Sequence, residues 1–457
     1  MVRKGTQFVE IWQDGQAFKD IDEYLNNDSR EIAENNRLKD ELEKIRKAIN
    51  KRKPNDKNCL GIRSPTDRVR RTRGVLEEST AHNSMMPINQ SCSVEDYQRY
   101  EELYKIRLNT LKKEEIELNI EREKLEKERD LHIKNMKIFA NEESSRFNHN
   151  PKLNNNRYLI LDMLGRGGFS EVFKAFDLNE FKFVACKIHQ LNFQWTEAKK
   201  HNFVRHAVRE YKIHSTLDHP NIVKFLDVFE IDNDSFGTVM EYCDGNDLDT
   251  YLKQNKIIPE RDARFIIVQV AQALRYMNEL RPSIIHFDLK PGNILLLSGI
   301  NAWHVKIADF GLSKTLPVEG DETSIDLTTP GAGTYWYLPP ECFFTGINPT
   351  KISSKVDVWS VGIIFYQCLY GRKPFGNDLS QTNILEQNTI LNATSITFPM
   401  KPIVSTEAKD FIRCCLVYNK ENRMDVIQMS EMPYLKYRKP ERSTLPPPLT
   451  NLKISDY

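Results

Sequence analysis

The chain has 457 residues, with 65 Lys and Arg against 64 Asp and Glu and a formal net charge of +1. That length supports two or three domains, each with a self-supporting core. The even balance excludes global charge as a reason to bind nucleic acid or an acidic membrane, so neither is expected as a direct partner. Eight cysteines are scattered, with only Cys414 and Cys415 close together, which is neither a zinc spacing nor a secreted disulfide framework. The opening Met1–Gln7 lacks the apolar core of a signal peptide, and Phe265–Leu274 and Val358–Tyr370 are too short to span a bilayer. A reducing cytosol or nucleus is the expected compartment.

Residues 1–27 offer only Ile21-Asp22-Glu23-Tyr24-Leu25, read as a short helical turn. A helix is predicted from Asp28, a capping residue followed at the right interval by Glu31. Leu38, Leu42, Ile45 and Ile49 alternate four and three apart, the seam of a short coiled coil over 28–52. The same register puts Asn35 at a core position, where a buried polar group favours two strands, so a homo-oligomer is expected. From Lys44 to Arg73 twelve Lys or Arg stand against Asp56 and Asp67. Within that stretch Arg68-Val69-Arg70-Arg71-Thr72-Arg73 reads as a nuclear localisation signal. Residues 53–93, rich in Pro, Asn, Ser and charge, are predicted to be a disordered basic linker.

A long charged helix is predicted over 94–145. Tyr104, Leu111, Leu118 and Leu125 recur every seven residues, but Glu115, Arg122 and Arg129 occupy the partner position, which leaves a second coiled coil open. Asn141–Asn156 is polar and closes the region. From 158 to 437 the pattern changes. Strands are predicted near Tyr158–Met163, Ser170–Asp177 and Phe183–Leu191, then a helix ending near Leu217. After Tyr242 the pattern is largely helical, over Glu260–Leu280, Val356–Tyr370 and Thr406–Leu416. This is an α+β pattern with a small sheet-bearing lobe ahead of a larger helical lobe. The tail, 438–457, is basic and Pro-rich and predicted to be unstructured.

Residues of chemical interest lie in this last block. Gly165-Arg166-Gly167-Gly168-Phe169-Ser170-Glu171-Val172 follows a strand, and its glycines let backbone amides approach phosphates. Phe169 at the loop tip would cover that site from water, and Ser170 adds a hydroxyl. Lys187 ends the apolar run Val184-Ala185-Cys186, so its ammonium projects from a strand. Its carboxylate partner is expected to be Glu210, ahead of His219-Pro220-Asn221, with Glu197 on the same helix as the competitor. Asp288 can accept the proton of an attacking hydroxyl, while Asn293 and Asp309 suit a hard cation. Lys290 can neutralise charge on a transferred phosphoryl group, and His286 reads as a scaffold residue.

Together these residues resemble the eukaryotic protein kinase family over roughly Tyr158–Tyr437. Asp357 in Asp357-Val358-Trp359-Ser360-Val361-Gly362, and Arg423 as partner of Glu341, strengthen the likeness. Lys290 and Thr334 resemble the serine/threonine branch. His286-Phe287-Asp288-Leu289-Lys290-Pro291-Gly292-Asn293, Gly331-Ala332-Gly333-Thr334-Tyr335-Trp336-Tyr337-Leu338-Pro339-Pro340-Glu341, the lengthened loop before Glu210 and the helical N-terminal half resemble the Tousled-like kinases. The resemblance implies a bilobal protein kinase fold: an antiparallel-sheet N-lobe with one helix and a larger helical C-lobe, preceded by coiled-coil helices. It implies ATP and Mg2+ as cofactors, catalytic roles for Asp288, Lys290, Lys187 and Glu210, and metal binding by Asn293 and Asp309. The implied ATP-binding set is Leu164, Gly165, Arg166, Gly167, Gly168, Phe169, Ser170, Val172, Ala185, Lys187, Met240, Glu241, Cys243 and Asp247. Among these, Met240 resembles the gatekeeper, Glu241 to Cys243 the adenine-binding hinge and Asp247 the ribose contact.

The resemblance further implies a nuclear enzyme, oligomeric through its N-terminal helices and acting on histone chaperones in chromatin assembly. A non-catalytic kinase-like scaffold is the alternative. Two departures stand out: Phe287 replaces the arginine that usually precedes the catalytic aspartate, and Pro339 a common alanine. Thr323, Ser324, Thr328 and Thr329 are expected phosphorylation sites. The N-terminal region is short for the family, as in a compact isoform or a partial chain.

Overall fold

The computed structural model describes residues 2–4, 7–9, 16–51, 94–168, 170–192, 194–299, 303–316, 324–327, 333–344 and 350–436. The chain divides into two units, Met1–Met136 and Lys137–Tyr457.

In the first unit β1 (Val2–Lys4) pairs antiparallel with β2 (Gln7–Val9). Two helices follow, α1 (Gln16–Lys51) and α2 (Val94–Glu143), the latter contributing to both units. The helix predicted to start at Asp28 begins instead at Gln16, just after Gly15. Phe18, Ile21 and Leu25 continue the helical spacing backwards without a breaker, so Asp28 is interior to the helix and buried rather than a cap. Asn35 is buried, and its amide nitrogen donates to the Leu111 carbonyl of α2 at 3.1 Å. Lys39 pairs with Glu115 nearby. The α1 seam read as facing a second copy thus meets α2 of its own chain at Asn35. The predicted linker and the Arg68–Arg73 signal lie outside the described residues.

The second unit opens with a six-stranded antiparallel sheet in the order β3-β4-β5-β6-β8-β7. Its strands are β3 (Lys152–Leu153), β4 (Tyr158–Arg166), β5 (Ser170–Asp177), β6 (Lys182–Gln190), β7 (Phe225–Asp232) and β8 (Ser235–Glu241). Burial alternates residue by residue along β5, as a strand with one covered face requires. The covered faces of the central strands bury Ile160, Phe173, Val184, Cys186, Ile188 and Val239. Between β6 and β7 lies α3 (Glu197–His214), started by Thr196, whose side chain accepts from the Lys199 amide.

Beyond β8 the chain is mainly helical: α4 (Leu248–Asn255), α5 (Glu260–Glu279), α6 (Lys355–Tyr370), α7 (Gln381–Glu386), α8 (Thr406–Cys415) and α9 (Val426–Glu431). α6 is apolar all round and buried along almost its whole length, the pattern of a central helix. It ends on Gly371 in the left-handed conformation, φ 68°. A Cβ at Gly362 would lie 2.6 Å from Cys415 Cβ, so glycine there lets α6 and α8 approach. Short strands carry the loops between α5 and α6. β9 (Ile284–Ile285) pairs with β12 (Lys314–Thr315), and β10 (Ile294–Leu296) with β11 (Val305–Ile307). The Arg423 guanidinium, 1% exposed, meets both carboxylate oxygens of Glu341 at 2.7 and 3.0 Å. No helix among the described residues is long and apolar enough to cross a membrane.

Candidate active site

Lys187 projects from β6 and Glu210 from α3. The Lys187 ammonium lies 2.5 Å from Glu210 Oε1 and 3.4 Å from Asp309 Oδ1. Glu197 is exposed and pairs with Lys200 at 3.2 Å, so the competing partner of Lys187 points elsewhere. Burial works to lower the Lys187 pKa, but the Asp309 and Glu210 carboxylates outweigh it and hold the amine above its ordinary value. Burial likewise works to raise Asp309. The Lys187 charge, then that of His286 and the Gly311 amide, more than offset this and hold its carboxyl below the usual range. Lys187 and Asp309 are therefore both charged near neutrality.

Two non-glycine residues here have left-handed backbone: Asp309 at φ 65° and Phe287 at φ 70°. Such strain persists only where surrounding contacts over-determine it. At Phe287 those contacts are visible, because the His286 and Phe287 amides donate to the two carboxylate oxygens of Asp357 at 2.8 and 2.9 Å. At Asp309 the neighbouring Ala308 amide donates to the Asn293 carbonyl at 2.9 Å, and the Ala308 carbonyl lies 3.3 Å from His286 Nε2. These bonds tie the loop carrying Asp288 to the loop carrying Asp309. Gly311 completes the arrangement, since a Cβ there would lie 3.3 Å from Asp309 Oδ1 and 3.4 Å from Glu210 Oε2.

Asp288 is half-buried and surrounded by donors. Lys290 Nζ donates to its Oδ2 at 2.6 Å, and the Thr334 amide and hydroxyl donate to Oδ1 at 3.1 and 2.9 Å. Asn293 Nδ2 donates to the Asp288 carbonyl at 2.8 Å, leaving its Oδ1 as the end suited to a cation. His286 is fully buried against Phe310, at 5.2 Å between ring centres, as suits a scaffold residue. Phe287 is buried in an apolar cluster with Leu316, Leu327, Leu338 and Ile352. The Lys314 ammonium lies 5.0 Å above its ring. The position where the resemblance expects an arginine is thus filled by an aromatic core contact.

The residues expected to face a nucleotide are arranged along the sheet. Gly165 and Gly168 have open space where a Cβ would stand, and the Gly167 amide closes the loop by donating to the Ser170 carbonyl at 2.7 Å. Phe169 lies outside the described residues. Val172 sits opposite both Gly165 and Lys187 in the sheet, Ala185 opposite Met240, and Leu164 is exposed. Glu241 is held by Lys306 at 3.0 Å. Burial, followed by the Glu241 charge, pushes the Cys243 thiol up to about 12. Asp247 caps α4, both its oxygens accepting from Thr250 at 2.7 Å. An open glycine turn beside a buried, paired lysine fits a polyphosphate. Among the described residues no cluster of three His, Cys, Asp or Glu could hold a metal alone. The Asn293 and Asp309 oxygens suit a hard divalent cation, whose remaining ligands would have to come from outside these two side chains.

Of the expected phosphorylation sites, Ser324 is half-exposed, and Thr323, Thr328 and Thr329 lie outside the described residues. The contacts of Thr334 with Asp288 and Lys290 were not anticipated from spacing. The nearest sequence signal was the resemblance of Lys290 and Thr334 together to the serine/threonine branch.

A family model described as the protein kinase domain matches residues 158–435. Serine/threonine-protein kinase tousled-like 1 of Homo sapiens is 51% identical over 440 residues, covering 95% of this chain and 56% of the relative. Tousled-like 2 of Homo sapiens is 59% identical over 342 residues, 74% of this chain and 44% of the relative. Serine/threonine-protein kinase TOUSLED of Arabidopsis thaliana is 46% identical over 441 residues, 96% of this chain and 58% of the relative. The chain thus spans about half the length of the curated relatives it matches. With this fold, these motifs and these likenesses, the chain belongs to the protein kinase family, in its tousled-like serine/threonine group.

Proposed function

We propose that the chain transfers the γ-phosphoryl group of ATP to serine or threonine hydroxyls of protein substrates. The observation that carries this is the pairing of Lys187 with Glu210 and Asp309, joined through Ala308 to the loop bearing Asp288, Lys290 and Asn293. ATP supplies the phosphoryl group, and Mg2+ neutralises its charge. Asp288 accepts the hydroxyl proton and aims the oxygen, and Lys290 offsets negative charge beside it. Glu210 holds Lys187 towards the phosphates, while the glycine-loop amides cradle them. Met240, Glu241 and Cys243 line the adenine side, and Asp247 faces the ribose. Asn293 and Asp309 would hold the metal. Radiolabelled phosphate transfer to a basic protein, wild type beside Asp288→Ala, tests the reading. Equal background-level signal from both would sink it and favour a kinase-like scaffold.

Membership in the tousled-like group supports a finer reading: histone chaperones as substrates, action in chromatin assembly, and homo-oligomers built by the N-terminal helices. The basic 44–73 stretch supports a nuclear location. Phosphorylation of a purified histone chaperone by wild type and not by Asp288→Ala tests the substrate. Exclusion of the full chain from the nucleus counts against the location, and a monomeric mass by light scattering against assembly.

A further inference from the structure

The residues just ahead of the family-matched domain are built into the nucleotide-binding sheet. Phe147 is 5% exposed and packs edge-on against Phe173 at 6.2 Å. Arg146 donates to Asp232 at 2.7 Å and to Ser235 at 2.5 Å. Ser145, 5% exposed, donates its hydroxyl to Glu171 Oε2 at 2.7 Å, where Gln190 Nε2 also donates at 3.1 Å. The other oxygen of Glu171 lies 3.4 Å from Arg166 Nε, and Arg166 Nη1 donates to the Ser144 hydroxyl at 2.6 Å.

Arg166 stands between Gly165 and Gly167 in the phosphate-cradling loop and directly opposite Glu171 in the β4–β5 pair. We propose that Ser144 and Ser145 position the glycine loop through Arg166 and Glu171, so that this preceding segment sets affinity for the phosphates of ATP. This rests on ATP being the phosphoryl donor and adds how its loop is held. The physical reason is the burial of Glu171: a carboxylate out of water is tolerated only while its lone pairs are filled, and Ser145 fills one. Without that hydroxyl the base of the hairpin loses a buried partner. Without Ser144, Arg166 loses its second anchor. Met240 lies beyond β6, on β8, and takes no part in the bonds among Ser144, Ser145, Arg166 and Glu171. The preceding segment meets β8 at its other end, where Ser235 accepts from Arg146.

The test is binding to the full chain by calorimetry, with Mg·ATP and with adenosine, which has no phosphates. The double variant Ser144→Ala/Ser145→Ala is expected to weaken Mg·ATP about three- to tenfold and leave adenosine unchanged. Ser145→Asp sets a second carboxylate against Glu171 and is expected to weaken Mg·ATP further. Unchanged Mg·ATP affinity in the double variant overturns the proposal. So does an equal loss for ATP and adenosine, which is the signature of a merely structural role. Should Ser145→Asp fail to fold, the double variant decides alone. Failure of Mg·ATP to bind the wild-type chain at all would instead refute the kinase reading on which this depends.

Discussion

Thr334 donates twice to one oxygen of Asp288, through its amide at 3.1 Å and its hydroxyl at 2.9 Å. The same hydroxyl accepts from Lys290 Nζ at 3.1 Å. The end of the segment after Asp309 is thereby fastened to the proposed base, and its cation is held beside it. Thr334→Val keeps the shape and the amide but removes the hydroxyl. A fall in kcat of about 10- to 100-fold is expected, with Thr334→Ser near wild type. Steady-state kinetics on a peptide substrate checks this, and equal rates for Val and Ser variants would refute it.

Gly311 lies within van der Waals reach of both carboxylates that hold Lys187. Gly311→Ala presses a methyl group against Asp309 and Glu210, at a cost of about 1–3 kcal/mol for overpacking. The expected result is a higher Mg2+ requirement and lower activity, with little change in adenosine binding. Magnesium titration of the variant at fixed ATP is the measurement.

Arg423 and Glu341 are buried together, and Arg423 also donates to the carbonyls of Val417, Lys355 and Tyr418. Removing one partner strands the other charge away from water, so Glu341→Ala is expected to cost about 3–5 kcal/mol. Replacing both residues, as in Glu341→Leu/Arg423→Met, is expected to cost less than twice that amount. Urea unfolding of the single and double variants decides it. A single-variant loss below about 1 kcal/mol would contradict the argument.

His189 is buried, stacked on Phe236 at 4.5 Å. Burial, followed by the Lys187 charge, pushes its pKa down to about 3. Burial also lowers that of His214, which bonds the Val223 carbonyl at 2.6 Å. An unfolded histidine takes up a proton near pH 6.5, whereas folded His189 refuses it until about pH 3. The unfolded state therefore binds more protons in that window. Stability is full above about pH 6.5 and falls with acid by up to about 1.4 kcal/mol per pH unit for such a group. His189→Phe is expected to shrink the drop in melting temperature between about pH 7 and about pH 5. An unchanged slope would mean another group carries the acid sensitivity.

The bilobal α+β architecture was legible because strand and helix periods are local properties, visible along β5 and α5 without any partner. The glycine loop was legible for the same reason: adjacent residues make its shape. Capping was read less well. Asp28 and Glu31 have the form of a helix start, but Phe18, Ile21 and Leu25 upstream carry the helix through it, since continuity of backbone hydrogen bonds outweighs one cap.

Amino-acid order alone determined which chemistry this chain could carry. Asp288, Lys290, Asn293 and Asp309 lie on neighbouring loops whose spacing no later packing can change. Only the tertiary structure decided which distant groups meet. It chose Glu210 over Glu197 for Lys187, buried Phe287 among leucines, turned Asn35 towards Leu111 and brought Ser145 to Glu171. Those pairings join residues that share no local period. They are selected by which arrangement fills the core and leaves the fewest buried polar groups unpaired, a quantity that no stretch of the chain holds by itself.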